Sequence, residues 1–217
     1  MIDKRMTDTP LMFGEGRLAI EDIVAIAEGR RSVALSDDPG FRERIDKGVA
    51  FLDSLLREDG VIYGVTTGYG DSCTVRVPPH RVEELPLQLS RFHGCGLGDV
   101  FSEQQGRAIL AARMASLTQG YSGVTPALLD RLTVFINDNI VPVIPQEGSV
   151  GASGDLTPLS YIAATLMGER DVFYAGERRP ALTRLDPLGH DIKAGARTRP
   201  LGTPQGRVQD GAAPAAV

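Results

Sequence analysis

Apolar and polar positions along most of this chain recur with a helical period. Ile20, Ile23, Val24 and Ala27 mark one face between Leu18 and Glu28, and Gly29 follows as a stop. A longer stripe of Phe41, Ile45, Val49, Leu52, Leu55 and Leu56 predicts a helix from Asp38 to Glu58. Pro39 suits its first turn and Gly60 its end. Val61-Ile62-Tyr63-Gly64-Val65 reads as a short extended segment that enters the loop Thr66-Thr67-Gly68-Tyr69-Gly70. Helices are predicted from Arg81 to Phe92 and from Ser102 to about Gln119. In the second, Ser102-Glu103-Gln104-Gln105 fits a capping box. Thr125-Pro126 opens a further helix through Leu128, Leu129, Leu132, Phe135 and Ile136. The prolines of Val141-Pro142-Val143-Ile144-Pro145 force an extended run. Asp155 to Met167 reads as a helix stopped by Gly168, and Val172-Phe173-Tyr174 with Ala175-Gly176-Glu177-Arg178 as a small hairpin. The fold class expected is mainly α with a small β component.

The pattern breaks at Asp186. From there to Val217 no aromatic residue occurs, and Gly, Pro, Ala and Arg dominate. Such a stretch buries too little apolar surface to offset its ordering entropy, so disorder is expected. The chain thus divides into one folded domain over 1–185 and a tail over 186–217 with a different character.

Composition narrows the function classes. The 217 residues are 42% hydrophobic, with a formal net charge of −5, which is ordinary for a folded domain and unlike a nucleic-acid binder. Arg197, Arg199 and Arg207 are too sparse to track phosphates. Cys73 and Cys95 fit no metal motif, and His80, His93 and His190 are the only histidines, so no metal is expected. Met1 to Asp8 lacks a signal-type apolar core, and no run approaches the roughly 18 apolar residues that span a bilayer. A soluble, cytoplasmic protein without membrane or nucleic-acid partners is expected.

The segment richest in chemistry is Gly148-Ser149-Val150-Gly151-Ala152-Ser153-Gly154-Asp155-Leu156-Thr157-Pro158-Leu159-Ser160. A glycine-rich loop before a helix can be a turn that needs positive φ, or a phosphate cradle. The cradle fits poorly, because no lysine follows the glycines and no suitable strand precedes them. A structural turn and a functional loop both remain open from the residues alone.

This segment closely resembles the signature of the aromatic amino acid ammonia-lyases, a family of histidine, phenylalanine and tyrosine ammonia-lyases and related aminomutases. The resemblance implies that Ala152-Ser153-Gly154 cyclises autocatalytically, with loss of water, to 4-methylidene-imidazol-5-one (MIO). The Gly154 nitrogen would attack the Ala152 carbonyl, which needs small residues, and Ser153 would lose its hydroxyl to leave a methylidene electrophile. No external cofactor or metal is implied. The start of the next helix near Asp155 would favour negative charge developing on the ring.

Two further segments agree. Tyr63-Gly64-Val65-Thr66-Thr67-Gly68-Tyr69-Gly70 resembles the family loop whose leading tyrosine removes the β-proton of the substrate. A phenol of ordinary pKa, about 10, is a poor base at neutral pH. The role therefore implies a Tyr63 oxygen favoured as phenolate by a positive field or hydrogen bonds. Gly70 is the candidate for close backbone approach to substrate. Arg91-Phe92-His93-Gly94-Cys95-Gly96-Leu97-Gly98 resembles the family helix whose adjacent pair meets the substrate ring. The pair is broadly Ser-His in histidine lyases, His-Leu in several tyrosine lyases and Phe-Leu in phenylalanine lyases. Phe92-His93 matches none of these cleanly; His93 aligns with the histidine of the histidine-lyase pair and could also bond a phenolic hydroxyl, as in tyrosine-acting members, the alternative being a packed histidine with its bonding satisfied. The balance is taken toward tyrosine, with a histidine lyase or a tyrosine 2,3-aminomutase as alternatives. Gln119-Gly120-Tyr121-Ser122-Gly123-Val124 also resembles a family stretch and is expected to be a packing loop.

The resemblance covers Leu11 to Leu185 and implies the N-terminal part of a fumarase/aspartase-like helical architecture, cut before most of its central bundle. The family's later Asn-Gly segment, second tyrosine, arginine and glutamate do not occur, and Arg199-Pro200-Leu201-Gly202-Thr203-Pro204-Gln205-Gly206 stands where a related run is expected. A truncated or frameshifted chain is expected, with weak or absent lyase activity. Family members assemble as homotetramers, so apolar faces such as Leu128-Leu132-Phe135 are expected to lack partners here. A second reading is an inactive fragment that acts only by association with intact subunits.

Overall fold

A computed structural model of the protein describes residues 9–58, 60–82, 84–149 and 156–181. Ala152-Ser153-Gly154, Asp155 and the segment from Asp186 onward lie outside the described residues.

Strand β1 (Leu11–Phe13) leads through helix α1 (Ile20–Ala27) to strand β2 (Val33–Leu35), which pairs with β1 in parallel, Leu11 opposite Val33 and Phe13 opposite Leu35. Asp22 caps α1 by accepting the Ala19 N–H at 2.9 Å. Gly29, at φ 69°, ends it as read from the sequence: its N–H bonds the Ile26 carbonyl while Arg30 N–H reaches back to Ala25. Helix α2 (Pro39–Arg57) starts on Asp38, whose carboxylate accepts the Phe41 N–H at 2.9 Å.

Val61–Val65 differs from its predicted extended form. The amides of Val65 and Thr66 both donate to the Ile62 carbonyl, and Thr66 Oγ1 accepts the Ile62 N–H at 2.8 Å. A threonine hydroxyl at that distance gives the backbone a local partner, and the segment closes into a turn. A 3-10 turn spans Gly70–Thr74 and another Pro79–Arg81. Helix α3 (Leu85–His93) therefore begins later than Arg81, with Pro86 in its first turn.

Strand β3 (Leu97–Val100) precedes helix α4 (Glu103–Leu117), whose capping box forms as read: Gln105 N–H donates to Ser102 Oγ at 3.3 Å and Ser102 N–H to Gln105 Oε1 at 2.9 Å. Helix α5 (Pro126–Asn137), strands β4 (Val141–Pro142) and β5 (Pro145–Glu147), helix α6 (Leu156–Leu166), and strands β6 (Asp171–Tyr174) and β7 (Glu177–Pro180) follow. β6 and β7 form the expected hairpin around Ala175-Gly176, both at positive φ, and β4 pairs antiparallel with β6. β3 pairs antiparallel with β5. The fold is mainly α with a small β component.

The main core joins β1, α1, α4, α5 and α6 through Phe13, Ile26, Leu110, Met114, Leu129, Leu132, Phe135 and Ile162. The expectation that Leu128-Leu132-Phe135 lacks partners is therefore corrected. Leu132 and Phe135 are 0% and 1% exposed and Leu128 is buried beside them, because α2, α4 and β2 pack on α5 within this chain. A second, smaller cluster of Leu52, Ile62 and Val65 lies beneath the Tyr63 turn. In the Gln119–Val124 loop, Ser122 and Val124 are buried and Tyr121 is exposed. Among the described residues no helix is long and apolar enough to cross a membrane, and no group of three or more His, Cys, Asp or Glu is placed to hold a metal ion.

Candidate functional site

Tyr63 stands on a turn that is fastened from inside. Thr67, 2% exposed, accepts the Gly64 N–H at 3.2 Å and donates to the Gly68 carbonyl at 2.9 Å. Thr66 Oγ1 donates to Gly60 O at 3.0 Å. Tyr69 folds back to donate its hydroxyl to the Gly64 carbonyl at 2.7 Å. These bonds hold the loop in one shape and leave the Tyr63 side chain half exposed at its edge.

The Tyr63 oxygen is held by a backbone amide. The Gly70 N–H donates to it at 3.0 Å. A backbone donor aimed at a phenol oxygen fixes where that oxygen sits. Gly70 itself lies at φ 54°, a conformation that strains other residues, and among the described residues nothing stands within 4 Å of where its Cβ would be. Open space beside a backbone amide is what close approach of a small molecule requires.

The two predicted segments meet through aromatic rings. Tyr63 and Tyr69 pack edge to face with centroids 5.7 Å apart, and Tyr69 makes the same kind of contact with His93 at 6.1 Å. Phe92 and His93 follow at 5.5 Å. Tyr69 was not read as a site residue in the sequence, yet it is the ring that links Tyr63 to His93; its separation of six positions from Tyr63 across a glycine turn carries no periodic signal. Phe92 is 78% exposed and offers a bare aromatic face at the end of α3.

The segment after His93 leads to the glycine-rich triplet segment. β3 pairs with β5, Leu97 opposite Glu147, so the chain entering Gly148 runs beside the chain leaving α3. A Cβ on Gly148 would lie 2.6 Å from Thr157 Cγ2 and 3.2 Å from the Gly96 Cα. Gly148, just before the triplet segment, thus lies against Thr157, just after it, and against Gly96. The side chains of Tyr63, Tyr69, Phe92 and His93 form one cluster tied to this junction. Ala152, Ser153 and Gly154 lie outside the described residues.

Two residues that the sequence reading passed over fasten the end of α3. Tyr161 Oη donates to Gly94 O and accepts from the Gly96 N–H, both at 3.2 Å, and Arg170 Nη2 donates to Gly94 O at 2.8 Å. The Arg91 guanidinium pairs with Glu169, which raises it above the usual guanidinium range; the pair is exposed to solvent.

Comparison with known proteins agrees with the fold. The family model described as aromatic amino acid lyase matches residues 18–193. Histidine ammonia-lyase of Staphylococcus aureus (strain JH9) is 41% identical over 162 residues, 75% of this chain and 32% of that protein. Among solved structures, tyrosine aminomutase from Streptomyces globisporus superposes with a TM-score of 0.80 at 32% identity, over 93% of this chain and 36% of its own. Histidine ammonia-lyase from Trypanosoma cruzi superposes with a TM-score of 0.78 at 26% identity, over 93% and 37%. The chain spans about a third of the length of these relatives. With about four fifths of its length matched to one family model and the same fold under it, the chain belongs to the aromatic amino acid lyase family.

Proposed function

We propose that this chain carries the electrophile-forming and base-bearing part of an enzyme that eliminates ammonia from an aromatic L-amino acid to give an α,β-unsaturated acid. The observation that carries the reading is the Tyr63 oxygen on the Gly70 amide, linked through Tyr69 to the His93 ring at the junction from which the Ala152-Ser153-Gly154 segment departs.

The flanks of that segment suit an internal condensation. Gly148 and Thr157 are in contact, which brings the two flanks of this short run of small residues together. The MIO ring formed from Ala152, Ser153 and Gly154 supplies an electrophile that no unmodified side chain provides. α6 follows directly, and its N-terminal amides favour negative charge nearby. Tyr63 accepts the β-proton of the substrate, and the Gly70 N–H holds its oxygen in place. Phe92 supplies an apolar face to the substrate ring. His93, held edge-on to Tyr69, supplies a polar edge that suits a phenolic hydroxyl, so tyrosine is the favoured substrate. A second reading, histidine as substrate, is favoured by the 41% identity to a protein named histidine ammonia-lyase. In family members the site is shared among subunits of a homotetramer, and a chain of this span is proposed to need such partners for turnover.

The intact mass of the purified chain tests the reading. A species lighter by two waters, restored to full mass by Ser153→Ala, is the expected result. An unmodified mass removes the electrophile and the proposal with it. Given the lighter species, incubation with tyrosine and with histidine separates the substrates: coumarate favours the first, urocanate the second, and β-tyrosine a mutase outcome.

A further inference from the structure

The ring-facing pair Phe92-His93 stands on the last turn of α3, a place where helices fray. The carbonyl of Gly94, one residue past the helix, collects two donors from elsewhere in the chain: the Tyr161 hydroxyl at 3.2 Å and Arg170 Nη2 at 2.8 Å. The same Tyr161 oxygen accepts the Gly96 N–H at 3.2 Å. The Arg170 guanidinium also lies 4.9 Å over the Tyr161 ring, so the two side chains brace each other. Arg170 holds a left-handed backbone, φ 68°, which disfavours any residue with a Cβ. A Cβ on Gly94 would collide with the Arg170 guanidinium, so the clasp leaves no room for another residue there.

Tyr161 and Arg170 are not placed for local stability alone. Tyr161 lies on α6, 6% exposed, and α6 is the helix that begins directly after the triplet segment. Arg170 follows α6 past the stop at Gly168. One helix therefore holds the exit of the triplet segment at one end and grips the chain behind His93 further along.

We infer that Tyr161 and Arg170 form a clasp on Gly94 that positions Phe92 and His93 against Tyr69 and the Tyr63 turn. They are positioning residues: they act on substrate through the place of the ring-facing pair. The inference rests on the reading of Phe92 and His93 as the substrate-ring pair given above. Neither side chain is exchangeable for a simpler one of the same bulk. Phenylalanine at 161 keeps the ring under the guanidinium but loses both hydrogen bonds, and glycine at 170 relieves the left-handed backbone but loses the grip.

The test is an NMR comparison of the 217-residue chain with Tyr161→Phe, Arg170→Gly and Arg170→Lys. The readout is the cross-ring nuclear Overhauser effect between Tyr69 and His93, with urea midpoints measured alongside. The wild type gives the cross-peak. Tyr161→Phe and Arg170→Gly are expected to lose at least about half of its intensity, and Arg170→Lys, which keeps one donor and the charge, to retain more than Arg170→Gly. Arg170→Gly should keep its urea midpoint, because relief of the left-handed strain offsets the lost bond. Unchanged cross-peaks in both Tyr161→Phe and Arg170→Gly overturn the clasp. So does loss of the cross-peak only in proportion to loss of fold. The mass measurement keeps the two proposals apart. Two waters lost with an unresponsive cross-peak leaves the electrophile and removes the clasp. An unmodified mass with a responsive cross-peak keeps the clasp as a positioning device and removes the electrophile.

Discussion

Thr67 shows how much of a candidate site can hang on one hydroxyl. It is buried, it satisfies the Gly64 amide, and it donates to the carbonyl of Gly68 on the far side of the same turn. Valine has nearly the same shape and neither bond. Thr67→Val is expected to destabilise the chain by about 1–3 kcal/mol, the cost of a buried amide left without a partner. Thr67→Ser should recover more than half of that. Urea unfolding of the two variants checks it; equal losses would mean that the methyl group, not the hydroxyl, holds the turn. The residue scale is also where the sequence says least. Tyr63, Gly70, Phe92 and His93 stand in motifs and so are candidates on the sequence alone. Tyr69, Tyr161 and Arg170 are not, because their partners are a ring or carbonyl brought near only by folding, such as Gly94 beside Tyr161 across 67 positions.

At the scale of elements, propensity and caps carried most of the reading. Asp38 with Pro39, Ser102 with Gln105, and the stops at Gly29 and Gly168 all act where the pattern puts them, because each uses a bond within a few residues of itself. Strands β1 and β2 escaped. They are three residues each, too brief to show alternation, and they pair across α1. Packing rather than propensity explains Gly106 in the first turns of α4. A methyl group there would run into Val141 Cγ1, and Val141 is fully buried in β4. Alanine in place of a helical glycine gains up to about 1 kcal/mol of helix propensity. Overpacking a buried contact costs about 1–3 kcal/mol. Gly106→Ala is therefore expected to lower stability by about 1 kcal/mol, measured as a fall in urea midpoint. A rise would show that β4 yields easily to α4.

Across the whole molecule, the two halves of the candidate site rest on different foundations. Phe92 and His93 are tied through α3 to α6, whose residues belong to the main core. The Tyr63 turn sits on Leu52, Ile62 and Val65, a cluster of its own with Leu55, Leu56 and Val82 at its edge. Local opening costs least where few apolar contacts are lost. The amides of Val65, Thr66 and Gly68 are accordingly expected to exchange faster than those of Leu110, Met114 and Ala163, by on the order of a hundredfold, equivalent to about 3 kcal/mol. Hydrogen exchange followed by NMR reads this directly, and equal protection would mean that the two clusters open as one. Faster exchange around Tyr63 would also locate the part of the site that gains most from contact with further chain.

The geometry of α6 sets a rule for how this part of the protein can change over generations. Tyr161 lies five positions beyond Leu156, about 7.5 Å along the axis at the helical rise. Substitutions between them alter packing by small steps. A single inserted or deleted residue would swing Tyr161 by about 100° around the helix and carry its hydroxyl away from Gly94 altogether. The stretch is a ruler with one permitted length. An exchange of residue between the triplet and the clasp repacks the helix in place, whereas a change of length moves the clasp itself.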